Sequence, residues 1–216
     1  MRLFERLKGD NRAIWSAYTN HDFVRQLASG DLPETCFRHY LGQDYLFLIQ
    51  FARAYALAAY KSETLADIRQ AADSLSAIIN VEMDLHVKFC ADWGLSEAVM
   101  ETLPEAEQTM AYTRFVLEKG LAGDLLDLHV ALAPCIIGYA EIGKSHAPAD
   151  DTNAYAAWIE MYATEEYQDL AKAEDTQLDR LYNIRAGEGR YEALSRTFAQ
   201  ATKLEVAFWQ MGLDVS

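Results

Sequence analysis

Residues 37–55 read FRHYLGQDYLFLIQFARAY, and the spacing of their apolar side chains decides the fold class. Phe37, Tyr40, Leu41, Phe47, Leu48, Phe51 and Tyr55 recur at intervals of three and four, the period of one helical face. Pro33 sits where a first-turn proline belongs, so the spacing predicts a long helix from Pro33 to about Tyr60. The rest of the chain has the same character. Only 4 prolines and 11 glycines interrupt 216 residues. Between them lie Ala-, Leu-, Glu- and Gln-rich stretches, residues that lose little entropy in a helix. No stretch shows the alternation of a strand, and there is no repeat or low-complexity linker.

Upstream, one helix is predicted from about Leu7 to Tyr18, and a short one from His21-Asp22 to Gly30. Downstream, Ser62 and Thr64 are capping candidates for a helix reaching His86 and Phe89, closed by Trp93-Gly94. Pro104-Glu105-Ala106-Glu107 opens another, which carries Met110, Tyr112 and Phe115 toward Gly120. Asp124 caps or opens the next, running to about Gly143. Pro134 lies inside it, where it removes one backbone donor and kinks the helix. Residues 146–153 form the clearest loop. A helix with Tyr155, Trp158, Ile159 and Tyr162 follows, then one from Glu165 to about Tyr182. Gly187 and Gly189 mark a turn before a last helix with Phe198, Leu204, Glu205, Phe208 and Trp209. About eight helices over residues 1–216 make a single all-α, bundle-like domain.

The net charge is -14, from 19 basic and 33 acidic residues. Such a field repels phosphates and anionic headgroups, which argues against nucleic acid and membrane surfaces as partners. Cys36, Cys90 and Cys135 are far apart and form no CxxC pair, so neither a zinc site nor a disulfide framework is expected. Their odd number suits a reducing, cytoplasmic compartment. The N-terminal residues lack a secretory apolar core, and no run of about 18 apolar residues stands out in the sequence.

Four residues are polar or reactive inside apolar stretches: Asp44, Tyr112, Cys135 and Glu205, on four predicted helices. A buried ionisable group is costly without partners. Asp44 shares a face with Phe47 and Phe51; the plain alternative is a carboxylate paired with a neighbouring helix. Cys135 follows Pro134, whose bend can open the thiol to a cavity; otherwise it is a small core residue. Tyr139 lies one turn later. Glu205 shares its face with Phe208 and Trp209, so desolvation is expected to raise its pKa; otherwise it pairs with Lys203 or Arg196 on the surface. Glu82 and His86 have the i, i+4 spacing of helical metal ligands, with Glu141 and His146 as further candidates. The repeated Glu-x-x-His of di-iron carboxylate proteins is absent, which leaves a structural hydrogen bond as the plainer reading.

At these residues the chain resembles the TenA family, the thiaminase II or aminopyrimidine aminohydrolase group within the haem-oxygenase-like helical fold. The resemblance spans nearly the whole chain. It rests on Phe37 to Asp44, Glu82 with His86, Tyr112, Pro134-Cys135 with Gly138-Tyr139, Trp158 with Tyr162, and Glu205 with Phe208-Trp209. It is similar to the branch that retains the helix-borne cysteine. The resemblance implies that Cys135 is the nucleophile and Glu205 the acid/base. It implies that Asp44 holds the amino edge of a pyrimidine, that Tyr112 contacts the ring, and that Tyr139 and Tyr162 line the pocket. Phe47 stands where some members have a tyrosine: stacking survives, a phenol hydrogen bond is lost, and the choice between thiamine and a smaller breakdown product stays open. A homotetramer, a role in thiamine salvage, and no metal or organic cofactor are further implications.

The chemistry fits these residue types. Protonating a ring nitrogen of an aminopyrimidine makes an unsubstituted ring carbon attackable, and Glu205 is the proton source. Cys135 adds there, the rearranged ring electrons expel the group on the exocyclic methylene, water adds to the methylene, and the cysteine departs. A free thiol is only slightly ionised at pH 7, so Cys135 is expected to lose its proton as the ring gains one. The competing reading is a di-iron oxidase of the same architecture using Glu82, His86, Glu141 and His146. A third is a non-catalytic regulator. Haem oxygenase proper finds no clearly placed proximal histidine, His21 being the nearest candidate.

Overall fold

The computed structural model describes residues 1–150, 152–185 and 188–216, and among them it is helical without strands. The helices are α1 (Leu3–Asp10), α2 (Arg12–Thr19), α3 (Asp22–Ser29), α4 (Glu34–Lys61), α5 (Leu65–Ala77), α6 (Met83–Asp92), α7 (Glu97–Met100), α8 (Glu107–Ala122), α9 (Leu125–His146), α10 (Ala156–Ala163), α11 (Glu165–Arg185) and α12 (Glu188–Asp214). A π-helical turn, Ile78–Glu82, joins α5 to α6.

Most helix ends follow the local chemistry. Gly30 closes α3 in the left-handed conformation at φ 80°, which glycine adopts without a Cβ penalty. Pro33 is the residue just ahead of α4 rather than its first member. Thr64 Oγ1 accepts from the Asp67 amide at 3.1 Å and caps α5. Asp124 Oδ1 accepts from the Leu126 and Asp127 amides at 3.0 and 3.3 Å and caps α9. Three expectations are corrected. The predicted Leu7–Tyr18 helix is two helices, because Asn11 interrupts it and turns its side chain back onto the Leu7 carbonyl at 2.9 Å. The Ser96–Met100 stretch holds the short α7, where no helix was expected. Gly189 lies inside α12 rather than in a turn; Gly187, the other half of that predicted turn, lies outside the described residues.

The chain divides into two compact units. The first comprises residues 1–32 and 129–209: α1 to α3, most of α9, α10, α11 and α12 as far as Trp209. Its core is aromatic. Trp15 stacks on Phe198 at 5.6 Å, and Phe23 stacks on Trp209 at 5.0 Å. A buried His129–Glu174 pair at 2.8 Å ties α9 to α11. The second unit comprises residues 33–128 and 210–216, in which α5, α7, α8 and the π turn pack on α4. The helix α9 is long and apolar enough to cross a membrane, but 78% of its most apolar window is buried within the protein, as in a core helix.

Candidate active site

In the second unit, α4 carries Asp44 and Phe47 on a buried face. The Phe47 ring stacks on Phe51 at 5.5 Å and meets Tyr112 of α8 at 5.2 Å. The position of Tyr112 is fixed by a residue that the sequence did not single out. The Gln43 amide donates to the Pro104 carbonyl at 3.0 Å, while its oxygen accepts from the Ala106 amide at 2.9 Å and the Thr109 hydroxyl at 2.8 Å. One buried side chain thus caps α8 from α4, one turn before Tyr112.

Asp44 is buried, and desolvation pushes its carboxyl up to about 7 against the opposing hydrogen bond from the Tyr40 phenol. Its Oδ2 lies 3.6 Å from Nδ1 of the buried His86, and His86 Nε2 sits 3.1 Å from the Leu41 carbonyl oxygen. Burial holds His86 down to about 4, with the Leu41 bond acting the other way. Glu82, in the π turn, is pushed up to about 7 by burial and then by the charge of Asp44. The extra residue of a π turn shifts the register of the helix beyond it, and such turns are frequent at functional sites.

In the first unit, Cys135 follows Pro134 on α9. Of the three cysteines it alone is part-exposed; Cys36 and Cys90 are buried. Burial and the charge of Asp44 push the Cys90 thiol up to about 12. The segment around Cys135 is held by Tyr18, whose hydroxyl donates to the Pro134 carbonyl at 3.2 Å. Tyr139, one turn after Cys135, meets Tyr162 at 4.9 Å, Trp158 at 5.8 Å and Trp209 at 5.2 Å. Glu205, one turn before Trp209 on α12, is 1% exposed. That burial overturns the surface reading of Glu205; Arg196 instead lies 3.9 Å from Glu192. The predicted residues therefore fall into two groups, Asp44, Phe47 and Tyr112 in one unit and Cys135, Tyr139, Tyr162 and Glu205 in the other.

Glu141 accepts from Lys8 Nζ at 2.7 Å and Trp15 Nε1 at 3.2 Å, beside a surface opening of about 470 Å³. His86 makes the structural hydrogen bond to Leu41. Among the described residues no three His, Cys, Asp or Glu side chains are grouped as ligands for a metal ion. His21 accepts from the Phe23 amide through Nδ1 at 3.2 Å at the start of α3.

Residues 10–215 match the family model of the TENA/THI-4/PQQC family. The chain belongs to this family. Within it, the chain is 36% identical over 204 residues to an aminopyrimidine aminohydrolase of Halalkalibacterium halodurans, covering 93% of this chain and 91% of that protein. A crystal structure of a TenA family transcription regulator from a Silicibacter species superposes with a TM-score of 0.94 at 44% identity, covering 98% and 96% of the two chains. A Shewanella denitrificans domain of unknown function with a haem oxygenase-like fold superposes with a TM-score of 0.76 at 10% identity, over 98% and 92% of the two chains, a likeness of fold alone. The TENA/THI-4/PQQC membership and this fold agree with the resemblance read from the sequence.

Proposed function

We propose that this protein is an aminopyrimidine aminohydrolase of the thiaminase II type. It hydrolyses the bond to the substituent on the 5-methylene of a 4-amino-2-methylpyrimidine and serves thiamine salvage. The observation that carries this reading is the part-exposed Cys135, set behind Pro134 in an otherwise largely buried helix, in a chain whose other two thiols are buried. Family membership and the aminohydrolase relative support it.

Glu205 gives a proton to a ring nitrogen. Cys135 passes its thiol proton to the carboxylate left on Glu205 and forms a carbon–sulfur bond at the unsubstituted ring carbon. The ring electrons then break the bond between the methylene and its substituent. Aminomethylpyrimidine loses ammonia, and thiamine loses the thiazole. Water adds to the exocyclic methylene, and the carbon–sulfur bond breaks to regenerate the thiol and release the hydroxymethyl product. Covalent addition replaces one difficult displacement by two easier steps. Asp44 holds the amino edge of the ring, Phe47 and Tyr112 contact its face, and Tyr139 and Tyr162 wall the pocket. The enzyme works in the cytoplasm as a homotetramer, on a small molecule and not on nucleic acid or membrane.

Incubation with thiamine and, separately, with the aminomethylpyrimidine, followed by chromatography and mass spectrometry of the products, tests the reading. The hydroxymethylpyrimidine is expected from at least one of them. Unchanged substrate in both would remove this activity.

A further inference from the structure

His86 is buried beside Asp44 and has no place in the mechanism above, yet its two ring nitrogens are set for different tasks. Nε2 lies 3.1 Å from the Leu41 carbonyl oxygen. A carbonyl only accepts, so Nε2 carries the hydrogen and donates it. In the neutral ring Nδ1 is then a lone pair, and it faces Asp44 Oδ2 at 3.6 Å. A closing of roughly half an ångström brings that pair into hydrogen-bond range.

The surroundings favour a proton between them. Among the described residues of this unit, the titratable groups that interact with Asp44 include the Tyr40 phenol, the imidazole of His86, the Glu82 carboxyl and the Cys90 thiol, and none of these is a fixed cation. Burial raises the Asp44 carboxyl to about 7 and lowers His86 to about 4, so a neutral acid facing a neutral imidazole is the state at mildly acidic pH. The Asp44 proton then has a waiting acceptor in Nδ1. The other oxygen, Oδ1, stays an acceptor.

We propose that His86 is the specificity-determining partner of Asp44: by drawing the carboxyl proton onto Oδ2 it leaves Asp44 only an acceptor to offer, which admits a 4-amino pyrimidine and refuses a 4-oxo one. An exocyclic amine has the hydrogen that Oδ1 needs. An oxo group opposes acceptor to acceptor and leaves both unpaired, which is where hydrogen-bonding sites discriminate most strongly. Without the Nδ1 lone pair, the acid proton of Asp44 is released to turn toward an oxo substituent and donate to it. The inference rests on the proposed aminopyrimidine activity and names a further residue of that same site.

The test compares calorimetric affinities at pH 6.5 for 4-amino-5-hydroxymethyl-2-methylpyrimidine and its 4-oxo counterpart. The wild type is expected to prefer the amino compound by about 100-fold or more. His86→Gln places an amide near the former Nε2 and keeps a donor for Leu41 while deleting the lone pair; the preference should fall at least about tenfold, mainly through gained oxo binding. His86→Asn places an amide oxygen near the former Nδ1 and should keep most of the preference, a rescue that a merely structural role does not produce. Nitrogen-15 NMR of the wild type gives a reading free of any folding defect, with His86 expected as the neutral Nε2–H tautomer. An unchanged preference in folded His86→Gln, or an Nδ1–H or doubly protonated ring in the wild type, overturns the inference while leaving the activity intact. A wild type that binds neither compound overturns the activity itself.

Discussion

The Tyr18 hydroxyl donates to the carbonyl oxygen of Pro134 at 3.2 Å, and the same ring fills the space above Gly138. A Cβ on Gly138 would lie 2.8 Å from Tyr18 Cζ, closer than side chains pack. Tyr18 is fully buried and stacks on Trp209 at 6.3 Å, so it has nowhere to retreat. The backbone on either side of Cys135 is thus braced by one phenol. Gly138→Ala should destabilise the protein by about 1–3 kcal/mol, the usual cost of overpacking a core. Tyr18→Phe keeps the ring and loses the hydroxyl, for a cost of about 0.5–1.5 kcal/mol. Chemical denaturation measures both; a Gly138→Ala protein as stable as wild type contradicts the brace.

Glu82 gives a pH-dependent prediction. Its carboxyl ordinarily titrates at 4.5, and desolvation of this half-buried group, with the charge of Asp44, raises it to about 7 in the folded state. Between these values the folded state binds more protons than the unfolded one. Stability therefore falls as pH rises from about 4.5 through 7. His86 acts in the opposite sense, since its native pKa is about 4 against an ordinary 6.5; its contribution is lost as pH falls below about 6.5 toward 4. Glu82→Gln removes only the carboxylate penalty. Its Tm should rise relative to wild type by more at pH 8 than at pH 5, at about 2–4 °C per kcal/mol for a chain of this size. Equal shifts at the two pH values would show that Glu82 titrates normally.

Glu205 has its chemistry in the transition state, where the ring gains a proton. Glu205→Gln keeps the shape of a side chain that is 1% exposed, so fold and ground-state binding should survive. The rate should fall by roughly 10²–10⁴, the contribution of a positioned general acid/base. The loss belongs in kcat rather than KM. Steady-state kinetics across pH 5–9 decide it. A glutamine variant with the wild-type kcat and pH profile leaves Glu205 a structural carboxylate.

The helices were legible where a local device marks their ends. Gly30, Thr64 and Asp124 each act through one conformation or one side-chain oxygen within three residues, which a sequence displays. The π turn at Ile78–Glu82 was not legible, because no proline or glycine marks it, whereas the break at Asn11 had a signal in Gly9-Asp10-Asn11 that the helical spacing of the apolar residues on either side outweighed. Gly189 misled in the opposite way: α12 simply contains it. In the site, the aromatic neighbours of Tyr139 come from α10 and α12, contacts that no spacing on α9 announces. Gln43 escaped notice because its three bonds join α4 to the start of α8, some 60 residues away. Glu205 could be read only as a choice between pairing and burial, since a glutamate one turn before two aromatics fits either until the packing of α12 is known.

Covalent catalysis by one thiol is tested by turnover of the aminomethylpyrimidine by the three single cysteine variants. Cys36 and Cys90 are buried, with Cys36 Sγ 3.3 Å from the Leu213 carbonyl, so replacing either by alanine should cost stability and leave the chemistry in place. Cys135→Ala should stay folded and release no hydroxymethyl product above the uncatalysed rate. Near-normal product formation by Cys135→Ala would contradict the account.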